Sequence, residues 1–155
     1  MVSVSPALVV PSGWTRVDTG SEGQWQAVTA YYAEPLLGEK TEEGFRANLN
    51  VTVADNEGQT FGEWQRTTER VLPELLDDYL AIDAERVGIA GREGGRRLGH
   101  HRGPHGEALT MEQWFVAVDG VGHTLTFTVP TRRYGALADL IEDCAATWTP
   151  GGEGS

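Results

Sequence analysis

Residues 109–129 read LTMEQWFVAVDGVGHTLTFTV, and this stretch decides the architecture. In HTLTFTV, Leu125, Phe127 and Val129 share one face, the period-two pattern of a half-buried strand. LTMEQWFVAV (Leu109 to Val118) becomes apolar on both faces at Trp114-Phe115-Val116, as a central strand does. Asp119-Gly120 between them is a strong hairpin signal. Strands joined by so short a turn pair antiparallel.

Working outward, FRANLNVTV (Phe45 to Val53) alternates in the same way. Phe45, Ala47, Leu49, Val51 and Val53 point one way, and Arg46, Asn48, Asn50 and Thr52 the other. WQAVTAYY (Trp25 to Tyr32) is rich in aromatic and β-branched residues and reads as a strand. Ala7 to Val10 is a short apolar strand, and Leu36 to Gly44 a polar loop. Ile82 to Ala90 and Arg96 to Arg102 are further strands separated by glycine-rich turns.

Two segments carry helical periodicity. Thr60-Phe61-Gly62-Glu63 is a capping box that starts the first helix. Phe61, Trp64, Val71, Leu72, Leu75, Leu76 and Tyr79 recur at roughly helical spacing, and Pro73 is expected to kink this helix or begin a second. In Tyr134 to Trp148, Leu137, Leu140, Ile141, Cys144, Ala145 and Trp148 fall on one stripe. The expected fold class is therefore α+β. An antiparallel sheet of about six to seven strands is flanked by two main helices, in the order β-β-β-α-β-β-β-β-α. The domain is expected to span 1–149, with 150–155 a flexible tail.

Composition narrows the function classes. The chain has 155 residues, 12 basic against 23 acidic, for a formal charge of −11. That opposes binding nucleic acid or anionic lipid through general surface charge. The single cysteine excludes an intramolecular disulfide and a multi-cysteine zinc site. No run approaches the ~18 apolar residues of a membrane span. MVSVSPALVVPSGW has no basic n-region and no lipobox follows, so the chain as written is expected to be cytoplasmic, or exported if a leader has been removed.

Candidate chemistry is sparse, and no catalytic residue and no cofactor are expected. His100, His101, His105 and Glu107 lie within eight residues, and His100, His105 and Glu107 are the metal-ligand candidates. Against them, His100 and His101 are adjacent in a strand and point to opposite faces, and His105 sits in a Pro/Gly turn. Gly91 to Arg97 (GREGGRR) has phosphate-loop composition but lacks the Lys-Ser/Thr pair, so a tight hairpin turn is expected. Cys144 sits on an apolar stripe and reads as a core thiol. There is no G-x-S-x-G elbow. Of the five tryptophans, Trp64, Trp114 and Trp148 fit core positions, and Trp14 and Trp25 are open to a partner. Asn48 and Asn50 could bind a ligand backbone or hydrogen-bond a neighbouring loop. A cleft between a helix and the sheet is the expected place for any ligand.

The set of motifs is more specific than any member. P-S-G-W (11–14) opens the chain, and GFRANLNVTV (44–53) precedes the capped helix ending Asp78-Tyr79. G-x-x-G-x-R (91–96), LTMEQWFV (109–116), the D-G turn and TLTFT (124–128) follow. This order resembles the LpqN/LpqT family of bacterial lipoproteins and, more distantly, PsbP-like and DcrB-like domains. The resemblance implies an αβα sandwich and no catalytic residues. It implies a binding or assembly role, like that of a photosystem subunit, a nuclear-transport cofactor or secretion-associated chaperones. Three functions are carried forward. The first is a non-enzymatic binding or adaptor domain for a protein or peptide, with Trp14, Trp25, Asn48, Asn50 and Arg96 as contact candidates. The second is a secretion-type chaperone sheltering apolar segments, and the third a metal enzyme using the 100–107 segment.

Overall fold

A computed structural model describes residues 4–5, 8–17, 27–35 and 45–151. The expected hairpin forms its centre. β8 (Ala108–Val118) and β9 (Val121–Pro130) pair antiparallel around Asp119 and Gly120, whose φ angles are 53° and 82°. Both central residues in the left-handed region make this a turn whose twist matches that of the strands. β6 (Asp77–Ile89) and β7 (Arg92–Arg102) use the same device at Ala90 and Gly91, with φ of 51° and 82°. The GREGGRR stretch is thus a hairpin turn followed by a strand.

On the other side of β9 lie β5 (Asn48–Asp55), β4 (Ala27–Ala33) and β3 (Thr15–Arg16). The sheet has seven strands in the order β3-β4-β5-β9-β8-β7-β6, every pair antiparallel. β1 (Val4–Ser5) and β2 (Leu8–Val9) form a separate two-stranded ladder. β1 and β3, two residues each, were not expected, so five strands precede the first helix rather than three. Segments so short carry no periodicity to read.

Helix α1 (Phe61–Leu75) and helix α2 (Tyr134–Ala146), the latter entered through a 3-10 turn at 131–133, cover opposite faces of the sheet. α1 starts at the capping box: Thr60 accepts from Glu63 N–H at 3.1 Å, and Glu63 accepts from Thr60 N–H at 2.9 Å. Two expectations for this helix are corrected. Pro73 neither divides it nor starts another, because it sits in the final turn, where the proline's missing N–H removes only one of the last bonds. Leu76 and Tyr79 are not on its stripe. Leu76 is the C-cap, and Tyr79 belongs to β6, where it covers Gly99. A side chain at Gly99 would lie 2.6 Å from that ring. β6 therefore begins five residues before Ile82, and β7 four before Arg96. β6 is the sheet edge and starts polar, and the start of β7 holds Gly94 and Gly95, where a side chain would meet Ile89 and Phe115, so hydrophobic alternation could not mark either end.

The main core lies on the α2 face. Leu49, Val51, Leu125, Phe127 and Val129 meet Trp114 and Val116, and Ile141, Cys144 and Trp148 close over them. Val10 and Trp14, from the segment after β2, complete it. Burial alone pushes the Cys144 thiol up to about 12, which leaves a core thiol and no nucleophile at neutral pH.

A half-buried ion pair fastens the end of β4 to the start of α2. The Glu34 carboxylate accepts two bonds from Arg133, at 2.7 and 2.9 Å, and one from Ala47 N–H at 2.8 Å. Burial by itself raises the Glu34 pKa, but the Arg133 and Ala47 hydrogen bonds and the Arg133 and Arg46 charges outweigh it, so the net shift is downward. The stabilisation is therefore fully present above the ordinary carboxylate value of 4.5 and is lost as pH falls through the lower folded value. Glu34→Gln is expected to cost about 2 kcal/mol at pH 7, below the range for a fully buried pair because Arg133 is partly exposed. Urea midpoints of both proteins from pH 7 to 3 should converge on acidification. A gap that stays constant would place the cost elsewhere.

Candidate functional site: the cleft between helix and sheet

The face of the sheet under α1 differs from the α2 face in chemistry. Strand alternation sends Asn50 and Thr52 of β5, Thr124, Thr126 and Thr128 of β9, and Met111 and Gln113 of β8 toward α1. They stand in register: Asn50 opposes Thr126, which opposes Gln113. Gln113 donates to Thr126 Oγ1 at 3.0 Å and accepts from Arg97 at 2.7 Å. The result is a floor of uncharged donors and acceptors.

The roof is apolar. α1 is anchored at its N-terminal half, where Trp64 packs edge-on against Phe115 at 6.0 Å and Phe61 stacks on the same ring at 5.8 Å. Further along, Val71, Leu72, Leu75 and Leu76 hang over a floor that is mostly polar, with Met111 as its apolar member. A cavity of about 260 Å³ lies between them. Among the described residues, His101 is its one titratable wall residue, and burial holds the imidazole below its ordinary value despite the opposing Arg102 carbonyl and Asp77 charge. The wall is therefore neutral at pH 7.

The sequence candidates fall at scattered places. Asn50 lines the cleft, whereas Asn48 is 7% exposed and donates to Arg46 O at 3.0 Å, a local structural bond. Trp14 is 5% exposed within the core. Trp25 lies outside the described residues. Arg96 projects on the α2 face and is engaged by Glu112, Glu85 and Asp83 at 2.6, 3.1 and 3.4 Å. The histidine segment does not converge. His100 and His101 take opposite faces, opposite Thr110 and Leu109. His105 sits in the turn after β7, where its N–H donates to Glu107 Oε1 at 2.9 Å. Among the described residues no group of three or more His, Cys, Asp or Glu side chains is placed to hold a metal ion.

Most of the cleft was missed from the sequence. Its signal was present in the threonines of TLTFT and the asparagines of NLNVT, which alternate with the core residues. Polar residues on a strand normally face solvent, and only the position of α1 turns these into a covered floor.

No family model matches the sequence, and no curated protein matches it. Solved structures do match in fold. The cyanobacterial PsbP protein CyanoP of Synechocystis sp. PCC 6803 superposes with a TM-score of 0.64 at 14% identity, covering 92% of this chain and 84% of that one. LpqN of Mycobacterium tuberculosis, involved in cell envelope biogenesis, gives 0.59 at 10% identity, covering 89% and 78%. The Ran-binding protein Mog1p of Saccharomyces cerevisiae gives 0.55 at 17% identity, covering 86% and 77%. These likenesses show that the chain shares the fold of these proteins, an α+β sandwich around an antiparallel sheet. No helix among the described residues is long and apolar enough to cross a membrane.

Proposed function

We propose that this chain is a non-enzymatic binding domain that takes a peptide segment of a protein partner into the cleft between α1 and the sheet. The observation that carries the reading is the mismatch across that cleft: an aliphatic roof over a hydroxyl-and-amide floor. A peptide satisfies both, with backbone amides on Asn50, Gln113 and the threonines and apolar side chains under Leu72 and Leu75. Fold neighbours that bind proteins, such as Ran-binding Mog1p, support the same direction. Kinship with LpqN/LpqT-type proteins in particular is part of the proposal and rests on the motif order in the sequence.

The test is a panel of synthetic octapeptides, with the best binder titrated into isotopically labelled protein. Amide shifts are expected at Asn50, Thr52, Gln113 and Thr126 and at the Trp64 indole. The pair Asn50→Leu and Thr126→Val should weaken binding about tenfold, the loss of one or two hydrogen bonds. Retention of no peptide, or shifts confined to the α2 face, would sink the reading.

A second reading, a chaperone for apolar segments, draws on the exposure of Leu75, Leu80 and Ile82 (57%, 60% and 46%) where α1 gives way to β6. Suppression of aggregation of an apolar cargo, lost in Leu75→Ser and Leu80→Ser, separates it from the first.

A further inference from the structure

Beside the cleft lies a second cavity of about 290 Å³, lined by Asp55, Glu57, Gln59 and Thr67. Trp64, Thr68 and Val71 belong to the walls of both cavities, so the two adjoin along one side of α1 as a single groove. Its ends are chemically unlike. The inner end is aliphatic around Leu72 and Leu75, with His101 as its only titratable group among the described residues. The outer end carries two exposed carboxylates, and among the described residues no basic side chain lines it. Local geometry holds them there. Glu57 sits in the turn after β5 with φ of 55°, and its N–H donates to Asp55 Oδ1 at 2.8 Å. Neither acid forms an ion pair among the described residues. The next acid, Glu63, is turned back to cap Thr60 N–H.

We infer that the partner segment enters this groove in extended form with a lysine or arginine at the Asp55–Glu57 end and a pair of aliphatic residues under Leu72 and Leu75. This rests on the peptide-binding reading above and adds a polarity and a spacing to it. Charge complementarity selects the basic residue, because a chain of net charge −11 draws cations to an acidic mouth and repels anions. The spacing follows from the helix. Thr67 at the outer end and Leu75 at the inner end are eight residues apart, about 12 Å at 1.5 Å per residue. An extended chain covers that in about four residues. The basic residue therefore stands about four positions from the aliphatic pair.

The experiment uses three octapeptides with a Leu-Val pair that differ only at the position four residues away, which is Lys, Gln or Glu. Each is titrated into the full chain at low and high salt and followed by tryptophan fluorescence. The Lys peptide is expected to bind about fivefold tighter than the Gln peptide at low salt, and the Glu peptide more weakly than either. The preference should vanish at high salt and in the Asp55→Asn/Glu57→Gln variant, which leaves the floor and roof intact. Equal binding of all three peptides overturns the polarity while leaving the cleft reading standing. A Lys preference that survives in the double variant also overturns it, by assigning the effect to the chain's general charge. Binding by none of the three, in a protein with wild-type unfolding, overturns the cleft reading itself.

Discussion

Gly122→Ala is expected to lower stability by about 3 kcal/mol, the upper end of the overpacking range, and to lift the first half of α1 from the sheet. Gly122 lies in β9 directly under the Trp64 indole, and an added Cβ would stand 2.7 Å from Cε2 and 2.8 Å from Cη2. The obstacle is a rigid ring, not the end of a flexible side chain. Trp64 has no alternative seat, because Phe115 meets it edge-on at 6.0 Å and Phe61 at 6.1 Å. The midpoint of thermal unfolding should fall by roughly 6–12 °C. Trp64 emission should shift to the red in the folded baseline, and peptide affinity should drop because the roof of the cleft has moved. An unfolding midpoint equal to that of the wild type would show that α1 is not seated through this contact.

Glu112→Ala should be comparably damaging for an electrostatic reason. Glu112 is 4% exposed and joins three elements. Arg96 of β7 donates to its Oε2 at 2.6 Å, and the hydroxyl of Tyr134, at the start of α2, donates to Oε1 at 2.8 Å. Removing the carboxylate strands the Tyr134 hydroxyl and takes from Arg96 its buried partner on the α2 face. The expected loss is about 3 kcal/mol, at the low end for a broken buried pair because Asp83 and Glu85 still hold Arg96. Glu112→Gln, which keeps an acceptor, should lose about half of that. A spectroscopic readout separates this from loose packing. Burial first, then the Glu112 hydrogen bond and charge, push the Tyr134 phenol up to about 12. Its contribution to stability is thus fully present below the ordinary tyrosine value of 10.0 and is lost as pH rises through about 12. In Glu112→Ala the ultraviolet titration of Tyr134 should move down toward 10.0. A titration that stays in place would show that burial alone sets it.

Both substitutions act at positions whose importance the sequence conceals. Gly122 follows a D-G turn and reads as one more turn glycine, yet it is required by a ring arriving from α1, far away in the chain. Glu112 interrupts an apolar strand and reads as an outward-facing charge, yet its partners come from β7 and α2. The cleft was concealed in the same way. Thr124, Thr126 and Thr128 were legible as the face opposite Leu125 and Phe127, but a threonine face toward water and one under a helix have the same spelling. The metal candidates show the reverse. His100, His105 and Glu107 are close in the chain, yet His100 stays on the strand opposite Thr110 while Glu107 meets His105 in the turn through its backbone N–H rather than its imidazole.

The sequence by itself determined that the sheet is antiparallel, that two amphipathic helices flank it, and which residues of β5 and β9 face the core. Those features rest on periodicities of 2 and 3.6 residues and on turn chemistry, all of them local. Only the tertiary structure decided that α1 lies over hydroxyls and amides, that its C-terminal half stands clear of them, and that Asp55 and Glu57 open beside it. These depend on where a helix comes to rest against strands distant in the chain, and that is set by the packing of Trp64 on Gly122 and Phe115 rather than by any neighbouring residue.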